Sequence, residues 1–232
     1  MNLFYQPRIP EGIHQLDEEE SRHCVRVLRR KAGDTIRITD GRGQFYDGRI
    51  TDEDARACTF HITARQAAPT RSYRIHIAIS PTKNADRLEW FVEKAVEFGI
   101  DTITLLECQH TERTYHKTER LQKVAVSAMK QSMQAWLPQI VGLTPFDQII
   151  TTPAQQKLIA FVDATNPLHL KHAATPGRDY LVLIGPEGDF TPDELNAALG
   201  MNFQKVSLGA SRLRTETAGL AACHTLHLIN TL

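Results

Sequence analysis

The strongest constraint on the fold of this chain is a change of period near residue 72. From Tyr73 onward, short apolar runs alternate with runs spaced like helices. YRIHIAIS (73–80) alternates Ile75, Ile77 and Ile79. ADRLEWFVEKAVEFG (85–99) places Leu88, Phe91, Val92, Ala95 and Val96 at helical spacing and closes on glycine. IDTITLLE (100–107) reads as a strand, 118–138 as one long helix stopped by Pro138, and QKLIAFVD (156–163) as another strand. DYLVLIG (179–185), TPDELNAALG (191–200), QKVSLG (204–209) and a last helix through TAGLAACHTLHLINTL (217–232) complete the series. Alternation of this kind predicts an α/β domain with a mostly parallel sheet, because parallel neighbours need a crossover long enough to hold a helix.

Ahead of it, residues 1–70 read mostly as β. DTIRITDGRGQFYDGRI (34–50) alternates across a DGRG turn, and ARACTFHITAR (55–65) supplies a further strand. One helix interrupts, over about 17–30, with an acidic first turn and a basic last turn, as the helix dipole favours. Dipole compensation needs one or two cations, whereas this segment carries more. The surplus marks His23, Arg26, Arg29 and Arg30 as candidates for contact with an anionic partner such as an RNA backbone. Arg113, Arg120, Lys123 and Lys130 are candidates to extend that surface. Residues 66–72, QAAPTRS, read as the linker, giving domains at 1–70 and 73–232.

Net charge adds nothing, since 27 basic residues balance 27 acidic ones. The four cysteines form no C-x-x-C pair, which argues against a disulfide framework or zinc cage and for reduced thiols; Cys108 and His110 in CQH are the one Cys/His proximity. No apolar run approaches the roughly 18 residues of a membrane span. Pro7 and Pro10 interrupt the place where a signal peptide needs its apolar core, so the expectation is a cytoplasmic protein.

The chemistry concentrates in two loops. IGPEGDF and LGASRLRTETA each follow a predicted strand and lead into a predicted helix, the first through a capping box with proline at its first position, Thr191-Pro192-Asp193-Glu194. One glycine turn of this kind is ordinary. Two, separated by a single helix and both at the carboxyl ends of strands, predict a ligand site. The first strand–helix loop, AISPTKNADR, lacks the dinucleotide fingerprint, and no loop carries G-K-[ST], which argues against Rossmann and P-loop sites.

Taken in order, SPTKNADRLEWFVEKAVEFGI, IGPEGDF and LGASRLRTETA resemble the RsmE family of ribosomal RNA methyltransferases in the SPOUT superfamily, and the resemblance extends to HCVRVLR and Gly33-Asp34 in the front domain. It implies an N-terminal PUA-like RNA-binding β-barrel, a C-terminal α/β domain with a deep trefoil knot, and a homodimer with a composite active site. It implies S-adenosyl-L-methionine as cofactor, no metal, and methylation of N3 of a uridine in 16S rRNA on the assembled small ribosomal subunit. By position, Gly185, Pro186, Glu187 and Gly188 would form one cofactor loop and Leu208, Gly209, Leu213 and Arg214 the other. The chain departs from the family where Asp189 replaces a usual glycine, where Ser211-Arg212-Leu213-Arg214 replaces arginine-isoleucine-leucine-arginine, and where Lys130-Gln131-Ser132 replaces Glu-Gln-Ser.

The implied reaction needs a group to orient the uracil or stabilise its anion, and a group to take the N3 proton. Arg214 is the candidate for the first, against an alternative as the salt-bridge partner of Glu216 or Glu187. Glu216 is a candidate catalytic base if buried, against an alternative as a helix-start cap, and the base is left open between Glu216 and solvent. Gln131 and Ser132 are candidates to face the substrate. His224 and His227 on the apolar last helix read as packing or dimer-interface residues.

Overall fold

A computed structural model describes residues 2–112, 118–161 and 168–231. The chain forms two compact units, one of Met1–Thr70 with Val126–Leu137 and one of Arg71–Ala125 with Pro138–Leu232.

The first unit is built on a four-stranded sheet, β1 (Leu3–Tyr5), β2 (Thr35–Thr39), β3 (Gln44–Asp52) and β4 (Thr59–Ala67), in that spatial order. β1 runs parallel to β2, and the other two pairs are antiparallel. Alternation buries Ile36, Ile38, Tyr46, Ile50 and Phe60 on one face, with Phe4, Leu16, Cys24 and Cys58. Among the described residues the ladder ends at β1 and β4, so the expected barrel is seen as an open sheet. β4 continues to Ala67, which shortens the expected linker at its start.

The expected helix over 17–30 is shorter and of two kinds. Asp17 caps α1 (Glu18–Arg22) by accepting the Glu20 N–H at 2.8 Å, and a π-helical turn, His23–Val27, follows. Arg29 then takes a left-handed φ of 54°, which ends the helix before the last cations. Five α-helical residues hold a small dipole, so dipole compensation cannot account for Arg29 and Arg30.

The second unit holds a six-stranded sheet: β5 (Arg74–Ile79), β6 (Thr102–Glu107), β7 (Gln139–Pro145), β8 (Gln156–Ala160), β9 (Asp179–Ile184) and β10 (Gln204–Val206). Their order is β10-β8-β9-β5-β6-β7 and every pair is parallel. Helix α2 (Ala85–Glu97) starts at the Asn84 cap and buries the five residues its spacing nominated. Helix α3 (Thr118–Gln131) stops seven residues short of Pro138. Its last six residues and the turn after it belong to the first unit, where Met133 is left-handed (φ 56°) and Trp136 bridges to Arg42. Trp136 lies against Gly43, where a Cβ would stand only 2.2 Å from the indole, and that contact outweighs helix propensity. β7 and the short α4 (Phe146–Ile149) were not expected.

After α5 (Leu170–Ala173), the capping box over Thr191 and Glu194 starts α6 (Pro192–Gly200). The last helix is α7 (Thr215–Thr231). It packs on α2, and Gly219 makes this possible because a Cβ there would meet Phe91 and Ile79 at 2.8 Å. His224 packs on Phe98 at 4.6 Å between centroids, with His227 beyond it at 6.3 Å. The four cysteines are free and buried. Among the described residues no helix is long and apolar enough to cross a membrane.

Candidate functional site

A cavity of about 820 Å³ opens at the carboxyl ends of β8, β9 and β10, where open α/β sheets place their ligands. Three segments wall it: Ala160 and Phe161 after β8, Ile184 to Glu187 after β9, and Ser207 to Thr215 after β10. Its size suits a small organic molecule rather than a single ion.

Both nominated loops meet here. Gly185, Pro186 and Glu187 line the cavity, as do Leu208, Gly209, Leu213 and Arg214. Gly188 does not; it is packed against His110, and a Cβ at this position would stand 3.3 Å from the His110 Cβ. Two hydrogen bonds tie the loops together. The Thr215 hydroxyl donates to the Gly185 carbonyl at 3.2 Å, and Arg212 Nη2 donates to the Glu187 carbonyl at 3.0 Å.

Loop backbone supplies the polar character. Leu208, Ala210, Ser211, Arg212 and Leu213 line the cavity, and their N–H groups have no hydrogen-bond partner among the described residues. Several donors left free by the protein on a cavity wall are available to a ligand with acceptors. Gly209 takes φ +134°, a conformation that L side chains rarely adopt. Asp189 explains the usual glycine of its position, since its φ is +62°. Aspartate is tolerated because its Oδ1 accepts the Phe190 N–H at 2.8 Å, a local bond that suits it to left-handed backbone.

Arg214 lies on the cavity wall, is exposed and makes no ion pair among the described residues, so the salt-bridge alternative falls. Glu216 is buried (7% exposed) and off the cavity lining, its carboxylate 3.8 Å from Arg87 Nε on α2. Its burial meets one condition of its nomination as the base, and the first turn of α7 directs it to α2.

In the first unit, His23, Arg26 and Arg29 are exposed and Arg30 is half-buried, and none of the four has a carboxylate in ion-pair reach among the described residues. The candidate extension of this surface is weaker. Arg120 is held bidentate by Glu89 at 3.0 and 2.9 Å, and Lys130 is paired with the buried Glu20. Lys123 is exposed, and Arg113 lies outside the described residues. The Ser132 hydroxyl donates to the Ala128 carbonyl of its own helix at 2.7 Å, which leaves Gln131 as the exposed member of that pair. Sequence reading missed Ala160, Phe161, His169 and Ala218 on the lining, and Arg212 as the link between loops.

Two matches place this architecture in a class. Residues 69–227 match the family model described as an RNA methyltransferase domain, and residues 16–63 the one described as an RNA methyltransferase PUA domain. The chain belongs to this family of RNA methyltransferases, in its ribosomal RNA small subunit methyltransferase E (RsmE) branch. A protein of that name from Synechocystis sp. is 27% identical over 228 residues, which cover 93% of this chain and 73% of the relative. The crystal structure of a probable rRNA-methyltransferase from Porphyromonas gingivalis shares 46% identity and a TM-score of 0.93, covering 100% of this chain and 99% of its own. A ribosomal RNA small subunit methyltransferase E from Neisseria gonorrhoeae, solved bound to S-adenosyl methionine, shares 25% identity and a TM-score of 0.85 over 99% and 98% of the two chains.

Proposed function

We propose that this chain methylates N3 of a specific uridine in 16S rRNA, on the assembled small ribosomal subunit, with S-adenosyl-L-methionine as donor. The observation that carries the reading is the cavity wall of unpaired backbone N–H groups between Leu208 and Leu213, facing the GPEG loop across the carboxyl ends of three parallel strands.

The residues fit such a cofactor. It has no diphosphate, and the site has neither a glycine fingerprint nor a P-loop lysine. Ile184, Pro186, Leu208, Leu213 and Ala218 offer apolar walls for the adenine, and the 208–213 backbone offers donors for its ring nitrogens. Glu187 supplies the negative charge that suits a sulfonium and an amino group. When bound, S-adenosylmethionine supplies an electrophilic methyl group. The chain's own work is to orient the acceptor and manage its proton. Uracil N3 is a good nucleophile only after it loses its hydrogen, and the anion spreads onto the flanking carbonyl oxygens. Arg214, permanently charged, on the cavity wall and without an ion-pair partner among the described residues, binds those oxygens in this reading. Glu216 anchors the start of α7 to Arg87 and so supports the second loop.

His23, Arg26, Arg29 and Arg30 hold the RNA backbone in this reading, with the front domain at 1–70 and the catalytic one at 73–232. The reading extends to a PUA-like barrel, a deep trefoil knot, a homodimer with a composite site and a cytoplasmic location, each supported by family membership.

Methyl transfer from labelled S-adenosylmethionine to small subunits from a strain lacking the native modification tests it, with free 16S rRNA, tRNA and large subunits alongside. The expected result is N3-methyluridine at a single position of the small subunit. Label on another RNA refutes the target. No label despite saturable cofactor binding refutes the enzyme and leaves an RNA-binding assembly factor.

A further inference from the structure

Arg214 stabilises an anion but cannot accept a proton, and Glu216 points away to Arg87. The proton acceptor is thus open between Glu216, solvent and a further group. The segment CQH, between β6 and α3, lies beside the GPEG loop and has no assigned role.

Its backbone is fixed from several sides. The Gln109 N–H donates to Glu194 Oε1 at 2.8 Å, and the Cys108 N–H to Thr111 Oγ1 at 2.8 Å. Thr111 Oγ1 in turn shares a hydrogen bond with Ser80 Oγ at 2.9 Å. The loops after β5, β6 and β9 are thus joined at the carboxyl edge of the sheet. His110 is exposed on this assembly, off the cavity lining itself but against Gly188, where a Cβ would lie 3.4 Å from Nδ1. Gly188 is the one member of GPEG that does not line the cavity, and it lies against His110 instead.

His110 Nδ1 lies 3.1 Å from the carbonyl oxygen of Asp189, a residue of the cavity wall. A carbonyl has no proton to give, so Nδ1 carries the hydrogen and donates it. In the neutral ring the lone pair is then on Nε2, which has no partner among the described residues. An imidazole held by one nitrogen and free at the other is the arrangement a general base needs.

We propose that His110 is the general base for the target uridine, a proposal that rests on the function argued above. Nε2 takes the N3 proton; the N3–H bond breaks, and its electron pair stays on N3 as the nucleophile. The carboxylates of the neighbouring segments are Glu187 and Asp189 after β9, Glu194 on α6 and Glu112 on its own loop. Lys83 on the loop after β5, paired with Glu112 at 2.6 Å, is the opposing charge.

The test is single-turnover methylation of small subunits between about pH 5.5 and 9, with product nucleosides identified, for the wild type, His110→Ala, His110→Gln and Glu187→Gln. Cofactor affinity is measured by calorimetry for each. The wild type is expected to form N3-methyluridine at a rate that rises and then levels as the imidazole loses its proton. Both His110 variants, fully folded because the side chain is exposed, should be about 10²–10⁴-fold slower. They should keep the wild-type cofactor affinity and show a rate that climbs with pH without levelling. Gly188→Ala, which crowds the ring without removing it, should slow methylation at unchanged fold. Wild type that makes no N3-methyluridine overturns the functional reading and the base together. Wild type that does, with His110→Ala equally fast or keeping the level region, overturns the base alone. Loss of the level region in Glu187→Gln instead would transfer the role to Glu187.

Discussion

Gly209→Ala separates backbone geometry from sterics at the cofactor loop. The residue has φ +134°, and a Cβ built on it meets nothing within 4 Å, so alanine adds strain and no clash. A non-glycine residue in so sparsely populated a region costs about 1–3 kcal/mol. Two exposed hydrogen bonds hold the turn, Gly209 N–H to Ser207 Oγ and Ser207 Oγ to the Gly209 carbonyl, each 3.1 Å. At a net value of about 0.5–1.5 kcal/mol each, they are no stronger than the strain, so the free variant relaxes its loop and keeps its fold. Binding requires the original backbone, because the donors from Leu208 to Leu213 are placed by it. The strain then appears in affinity, as a Kd for S-adenosylmethionine about 5- to 150-fold weaker. Calorimetric titration measures it. Gly177→Ala is the control: φ is +74°, a Cβ again meets nothing within 4 Å, and the residue is not on the cavity lining. It should lower Tm and leave affinity unchanged. Binding by Gly209→Ala within twofold of wild type, with Gly177→Ala destabilised as expected, would refute the claim that this loop's backbone is the binding element.

Other substitutions test other links. Arg214→Ala should abolish methyl transfer while circular dichroism and Tm stay at wild-type values, since the side chain is exposed and makes no ion pair among the described residues; unimpaired transfer would remove it from the mechanism. Lys130→Met strands the Glu20 carboxylate, whose side chain is 8% exposed, and should cost the first unit about 3 kcal/mol in urea denaturation; adding Glu20→Gln should recover most of the loss. Gly43→Ala drives a methyl group into the Trp136 indole at a φ of +92° and should cost about 3 kcal/mol or more, read as lower stability and a shifted tryptophan emission.

Local features of the fold were legible in the sequence and long-range ones were not. The five apolar positions of α2, the capping box of α6 and the glycine-ended strands β9 and β10 each carry their signal within about ten residues. β1 has three residues and a parallel partner more than thirty positions away, so it leaves no periodic trace. Periodicity also cannot separate the π-helical His23–Val27 from an α-helix, and Ser132 to Leu137 keep helix propensity until the Trp136–Gly43 contact overrides it. One side of the cavity wall was invisible for the same reason. Ala160 and Phe161 are ordinary apolar residues that become site residues only because β8 pairs between β10 and β9.

The proton acceptor shows the same limit most sharply. In the linear sequence Glu216 stands two residues from Arg214 and invites assignment to one active centre. Entry into α7 at Thr215 turns successive side chains by about 100° each, so Arg214 stays on the cavity wall while Glu216 turns toward Arg87. His110 and Asp189 are 79 positions apart, yet parallel pairing through β6, β5 and β9 brings their loops to the same edge of the sheet. A histidine in CQH offers sequence reading only a weak hint of metal binding. Its ring is given one defined tautomer by a carbonyl that no local pattern could have supplied, because that carbonyl belongs to a left-handed residue on a different crossover. The proposal of His110 as base therefore rests on strand order rather than on either motif.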